Sequence, residues 1–217
     1  FTTGTITTST GSNASGVQQA SGAQCAISFS GVLTITAGNG MVSSVSMQSG
    51  TTLTLGAGVS FAGNSANAQI VISSGATVNL TGQLGGGGTV AFNAGSILNV
   101  TGTSSVTGSY TINSDVNVNS GTFSLGSTVT FGGTTTIAGG ATMTASSVAA
   151  KTFGGAVVIN SGGIFDMTSL NPSLSFGGGI TMDGTTFSTG TGTVAFTANQ
   201  NLAGSSNMTF GGNVTIN

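Results

Sequence analysis

Only four side chains in this sequence carry a formal charge, so acid–base or metal chemistry would have to be built from Lys151, Asp115, Asp166 and Asp183. Histidine, arginine and glutamate do not occur. General acid–base work then falls to three carboxyls and one amine. Asp183 stands just before Gly184, where Asn160 stands one repeat earlier, a position suited to an Asx turn. Asp166 lies between Phe165 and Met167 and therefore points away from them. The four glycines at 85–88 suggest a phosphate cradle, but no Gly-Lys-Ser/Thr follows, because Ala150 precedes Lys151. Repeated calcium loops need an acidic residue in every repeat, and three aspartates cannot supply them. The reading is no enzyme, no cofactor and no metal site.

Other residue types narrow the partners. One cation against phosphates argues against nucleic acid. Cys25 is alone, so it forms no internal disulfide and reads as a small buried apolar residue. Asn-x-Ser/Thr triplets begin at Asn13, Asn79, Asn99, Asn207 and Asn213, about the number chance gives when Ser and Thr are this common. Thr-x-Thr pairs begin at Thr5, Thr34, Thr52, Thr101, Thr128, Thr134, Thr142 and Thr191. An ice-binding face needs such pairs on one side of successive repeats, and these gaps are irregular.

The elements that must carry these residues follow from alternation. Apolar residues come in pairs two apart, among them Ile27/Phe29, Leu53/Leu55, Ile70/Ile72, Val116/Val118, Val157/Ile159 and Ile180/Met182. Period two places both members on one face of a short strand. Residues between them are Thr, Ser, Asn or Ala, and no window keeps a helical period. β-branched residues abound while the charged helix formers are nearly missing. Charged residues make up 2% against roughly 25% in an ordinary domain, yet 37% are hydrophobic, which excludes a disordered chain. No apolar run is long enough for a membrane-spanning helix.

A longer period lies above the alternation. Phe-Gly-Gly recurs at Phe131, Phe153, Phe176 and Phe210, with an apolar pair and a polar-Gly corner after it. The corner glycines at 50, 75, 95, 121, 139, 162 and 184 step by about 22 residues. The fold expected is all-β: a right-handed parallel β-helix, or β-solenoid, with about 22 residues and three short strands per coil. About ten coils result, with Phe over Phe and Asn over Asn as internal ladders. The wide step from Phe176 to Phe210 suggests an extra strand or loop over about 188–203. Residues 1–26 fit the period poorly and read as a cap or inter-subunit strand, leaving 27–217 as the solenoid.

The pattern Phe-Gly-Gly-x-Val-x-Ile-x-x-Gly, as at 153–162, resembles repetitive bacterial surface proteins, the β-helical passengers of autotransporters and filamentous-haemagglutinin-type adhesins. The resemblance covers about residues 27–217 and lies in repeat style rather than a diagnostic motif. It implies a secreted, rod-like, non-enzymatic protein at the cell surface, serving attachment, with host or surface glycans as partners, or serving as a coat. Near-absence of charge points first to a homopolymer. A solenoid end is an open sheet edge, and nothing charged guards residues 208–217. Head-to-tail stacking into an extracellular filament is expected, carried by Thr2, Thr5, Ile6 and Thr7 at one end and Met208, Phe210, Val214 and Ile216 at the other.

Overall fold

The computed structural model describes residues 4–7, 15–18, 26–37, 43–63 and 67–217. Within them 28 strands rotate strictly through three sheets. Sheet A runs from Gly4–Thr7 to Thr186–Ser188 in nine strands, and sheet B from Ser15–Gln18 to Val214–Ile216 in ten. Sheet C runs from Ala26–Phe29 to Leu202–Ala203 in nine. Every listed strand joins its neighbours in parallel, one coil earlier and one coil later, as in Leu98 between Val78 and Val116. The chain is a parallel β-solenoid.

Alternation explains the winding. Leu33–Ala37, Ala68–Ile72 and Ala141–Ala145 bury every second residue and half-expose those between. The buried members form one core running the length of the rod, from Phe29 to Phe196. A strand buried on one face only has its register fixed, because a one-residue slip would turn every apolar side chain outward.

Coil length is less regular than a fixed period of 22. In sheet A, Ile6 pairs with Ile35, Ile35 with Phe61 and Val59 with Leu84, steps of 29, 26 and 25. Later steps are shorter: Val106 to Leu125 is 19, Phe123 to Met143 is 20, and Met143 to Phe165 and Phe165 to Phe187 are 22 each. Strands Gly4–Thr7 and Ser15–Gln18 pair with Leu33–Ala37 and Ser43–Met47, so those described parts of residues 1–26 stack as coil strands.

Three details differ from the sequence reading. Residues 188–203 hold no extra strand. Phe176 pairs with Phe196 and Phe196 with Ile216, so Phe210 is not the next member of the Phe131–Phe153–Phe176 column. Phe210-Gly211-Gly212 instead lies between sheets A and B. The tight turns also change edge. Gly50, Gly75 and Gly95 turn with positive φ between sheets B and C, whereas Gly140 and Gly162 do so between sheets C and A; Gly139 and Gly184 lack positive φ. The first group stacks through Gly50 N–H to Gly75 O and Gly75 N–H to Gly95 O.

The Phe-Gly-Gly glycines serve a different purpose from turning. None of Gly133, Gly155 and Gly178 has positive φ; a Cβ on Gly133 would lie 2.4 Å from Ser114 O, and one on Gly155 2.2 Å from Gly133 O. Stacked coils touch backbone to backbone there, and only glycine leaves room. The third difference is the asparagine ladder. Asn117 Nδ2 donates to Asn99 Oδ1 and Asn99 Nδ2 to Asn79 Oδ1, each at 3.0 Å, on the outer face of sheet C rather than inside.

Candidate assembly interface

The site is the last coil. Strand Val214–Ile216 closes sheet B because Val194 N–H donates to Asn213 O and Asn217 N–H to Phe196 O, both at 2.9 Å. Thr209 bridges to Ser188 at the end of sheet A, and Leu202–Ala203 ends sheet C beside Ile180–Met182. Val214, Ile216 and Leu202 therefore continue inward columns whose previous members, Val194, Phe196 and Ile180, are buried. With no coil beyond them they are 45%, 80% and 47% exposed. Met208 and Phe210 are partly buried against the core, Phe210 standing edge-on to Phe187 at 5.4 Å and to Phe196 at 5.8 Å. These four assembly candidates, Met208, Phe210, Val214 and Ile216, thus share one apolar end face.

Beside them opens a cavity of about 240 Å³ lined by Phe196, Gln200, Leu202 and Ile216, with Ala198, Asn199 and Asn217 at its sides. Gln200 Nε2 donates to Phe176 O, while Gln200 Oε1 is buried with no partner. A buried unpaired acceptor is costly and marks a place where a donor belongs. Sequence reasoning missed Gln200, since nothing in its neighbourhood signals a role.

The other candidates lie at the opposite end of the strand order. Thr5, Ile6 and Thr7 stand in register with Thr34, Ile35 and Thr36, and Gly4–Thr7 is the end strand of sheet A. The structure does not bring the two groups together within one molecule. Thr2, Cys25 and the Asn39-Gly40 pair fall outside the described residues.

The charged residues are scattered. Asp115 Oδ1 accepts from Thr134 N–H at 2.8 Å in the next coil. Asp166 Oδ1 accepts from the N–H and Oγ1 of Thr168, an Asx-type turn. Asp183 does not form the expected local turn. It reaches one coil onward, where the Ser205 hydroxyl and then the Ser205 N–H, both at 2.8 Å, hold its carboxyl below the usual carboxylate range. Among the described residues no three His, Cys, Asp or Glu side chains gather.

Lys151 is the surprise: the sole cation is fully buried. It occupies the inward position held by Val129 one coil earlier and Leu174 one coil later. Its Nζ donates to Ser127 O and Ala149 O at 2.6 Å each and to Ser147 Oγ at 3.3 Å, fastening corner loop 146–150. Burial pushes its ammonium down to about 8. The signal was present in Lys151-Thr152-Phe153, which copies the inward-outward-inward pattern of Val129-Thr130-Phe131. The glycine turn at 85–88 is likewise closed rather than open. Tyr110 Oη donates to Gly86 O at 2.9 Å, and a Cβ on Gly88 would meet the Phe61 ring at 2.2 Å. Burial pushes the Tyr110 hydroxyl up to about 12.

The irregular gaps between Thr-x-Thr pairs conceal a real stack. Thr5 and Thr7 pair with Thr34 and Thr36 because that coil is 29 residues long. Thr103/Ser105, Thr122/Ser124 and Thr142/Thr144 also stand in register on the outer face of sheet A. Of the glycosylation triplets, Asn79 and Asn99 are tied into the amide ladder, whereas Asn207 and Asn213 are exposed.

Fold and end face together define a β-solenoid repeat protein. Comparison with known proteins returns no matching family model, no matching curated protein and no matching solved structure. No helix among the described residues is long and apolar enough to cross a membrane.

Proposed function

We propose that the chain is a non-enzymatic structural subunit of an extracellular filament, joined end to end with further copies of itself. The observation that carries this is the last coil, where Leu202, Val214 and Ile216 stand exposed in columns that are buried everywhere behind them. A parallel coil edge offers unpaired N–H and C=O groups, and natural edges of this kind are normally guarded by charge, proline or a covering segment. Residues 202–217 contain none of the four charged residues and no proline. Association through such a face repeats head to tail and gives an open fibre. A surface of Ser, Thr and Asn with little net charge supplies almost no repulsion between copies.

Negative-stain microscopy and sedimentation test the proposal. Fibres are expected, stable at low and high salt because main-chain pairing and apolar burial are little screened. Ile216→Lys should shorten or abolish them. Isolated rods at every concentration would overturn the filament and favour the attachment role that the likeness to autotransporter passengers implies.

A second reading rests on the hydroxyl stack of sheet A. In-register Thr and Ser on successive coils, about 4.8 Å apart, make a regular uncharged array suited to adsorbing on an ordered water surface. Ice-recrystallisation inhibition that disappears in Thr122→Lys would support it.

A further inference from the structure

The end face is stepped, and the step sets how two copies would fit. Along the winding a sheet A strand is followed by a sheet B strand and then by a sheet C strand. In the last coil, sheet A has reached Thr209 and sheet B has reached Val214–Ile216, while sheet C stops one coil lower at Leu202–Ala203. Sheet C is thus one strand short, and the cavity lined by Phe196, Gln200, Leu202 and Ile216 opens at that notch.

We propose, resting on the end-to-end reading above, that the notch receives strand Gly4–Thr7 of a second copy. The winding then continues without a break, and each copy is turned by one face of the three-sided rod. Sheet A of the incoming copy continues sheet C of the first, its sheet B continues sheet A, and its sheet C continues sheet B.

Four observations select this strand. It is the end strand of sheet A, with a partner on one side only among the described strands, Leu33–Ala37. It is parallel to every other strand, so a copy in the same orientation presents the edge that Leu202–Ala203 needs. Its sequence, Gly-Thr-Ile-Thr, is uncharged and places Ile6 in register with the buried Ile35, in the inward column that Leu202 leaves exposed. The unpaired Gln200 Oε1 supplies an acceptor within the notch for an incoming N–H or hydroxyl. A flush join without rotation would set Gly4–Thr7 on Thr209 instead. The notch would then remain, with Gln200 Oε1 still buried and unpaired.

Disulfide trapping separates the two joins. In a Cys25→Ser background, Thr5→Cys is paired with either Ala203→Cys or Thr209→Cys, because in-register parallel neighbours lie within disulfide reach. Mild oxidation of the Thr5/Ala203 pair is expected to give a ladder of covalent multimers, and the Thr5/Thr209 pair to give essentially none. Circular dichroism checks that both variants keep the parent's β signal. A ladder from Thr5/Thr209 alone would overturn the rotated join while leaving end-to-end assembly standing. No ladder from either pair, with the Cys25→Ser parent sedimenting as a monomer, would overturn the filament and the join together.

Discussion

Between Leu33 and Val100 the inward columns are chiefly aliphatic and the coils are long, whereas from Phe123 to Phe196 the columns are aromatic and the coils short. Phe131, Phe153 and Phe176 stack at 5.2 and 5.3 Å between ring centres, and Phe165 stacks on Phe187 at 4.9 Å. Phe153 also stands edge-on to Phe165 at 5.6 Å, joining the sheet B and sheet A columns. Rings stack this way only where successive coils present the same inward position one strand spacing apart. The Phe-Gly-Gly corners keep that spacing by letting backbone lie on backbone at Gly133, Gly155 and Gly178. The aliphatic half accepts coils of 25 to 29 residues because Leu, Ile and Val have no ring plane to align. The same winding thus tolerates variable corners where packing is isotropic and demands thin ones where it is directional.

The largest effect expected from breaking this contrast is at the centre of the ring column. Phe153→Ala should cost about 3–5 kcal/mol, the range for a buried Phe, and Leu53→Ala should sit lower, nearer the bottom of the 2–5 kcal/mol range. Equal losses in denaturant titrations would show that stacking adds nothing. Next come the thin corners. Gly155→Ala forces a Cβ onto Gly133 O and should cost about 3 kcal/mol, as overpacking does. Gly140 has positive φ and open space around it, so Gly140→Asn should cost less than about 1 kcal/mol. A reversed order would mean that conformation rather than close approach constrains both corners.

Stability against pH tests the two buried titratable groups that flank this boundary. Lys151 is held down to about 8, so the unfolded chain binds its proton more tightly and stability rises as pH climbs from about 8 towards 10. Tyr110 is held up at about 12, so above pH 10 the folded chain keeps the proton that the unfolded chain loses, and stability falls. The melting temperature should therefore peak near pH 10, with a rise worth about 2 kcal/mol. Lys151→Met should flatten the rising limb and Tyr110→Phe the falling one; an unchanged profile in both would remove these groups as its cause. The smallest effect lies on the outer face of the aliphatic half. Asn99→Ala breaks two amide bonds of the ladder and should cost about 1 kcal/mol, measured against Thr136→Ala as a control outside it.

Much of this molecule was legible in the residues. Alternating pairs such as Val157/Ile159 gave strands, and their recurrence gave a stacked coil, because burial on one face is a local property with a period of two. The same rule placed Lys151 inside, had it been applied to a charged residue. What could not be read was anything set by neighbours distant in sequence. Phe210 repeats the Phe-Gly-Gly phrase yet sits at a different corner, since its position depends on how many residues the previous coil used. Thr5 and Thr34 looked out of phase at 29 apart and are in register for the same reason.

The sequence by itself determined the class of the fold, the inward and outward faces, and the poverty of charge, because composition and period two act residue by residue. Only the tertiary structure decided which coils stack in register, that the glycines of Phe-Gly-Gly serve close approach rather than turning, and that Asp183 and Asn99 reach between coils. It alone also decided that the last coil ends in a stepped apolar face. Each of these depends on the accumulated length of every corner before it, a sum that no local pattern encodes.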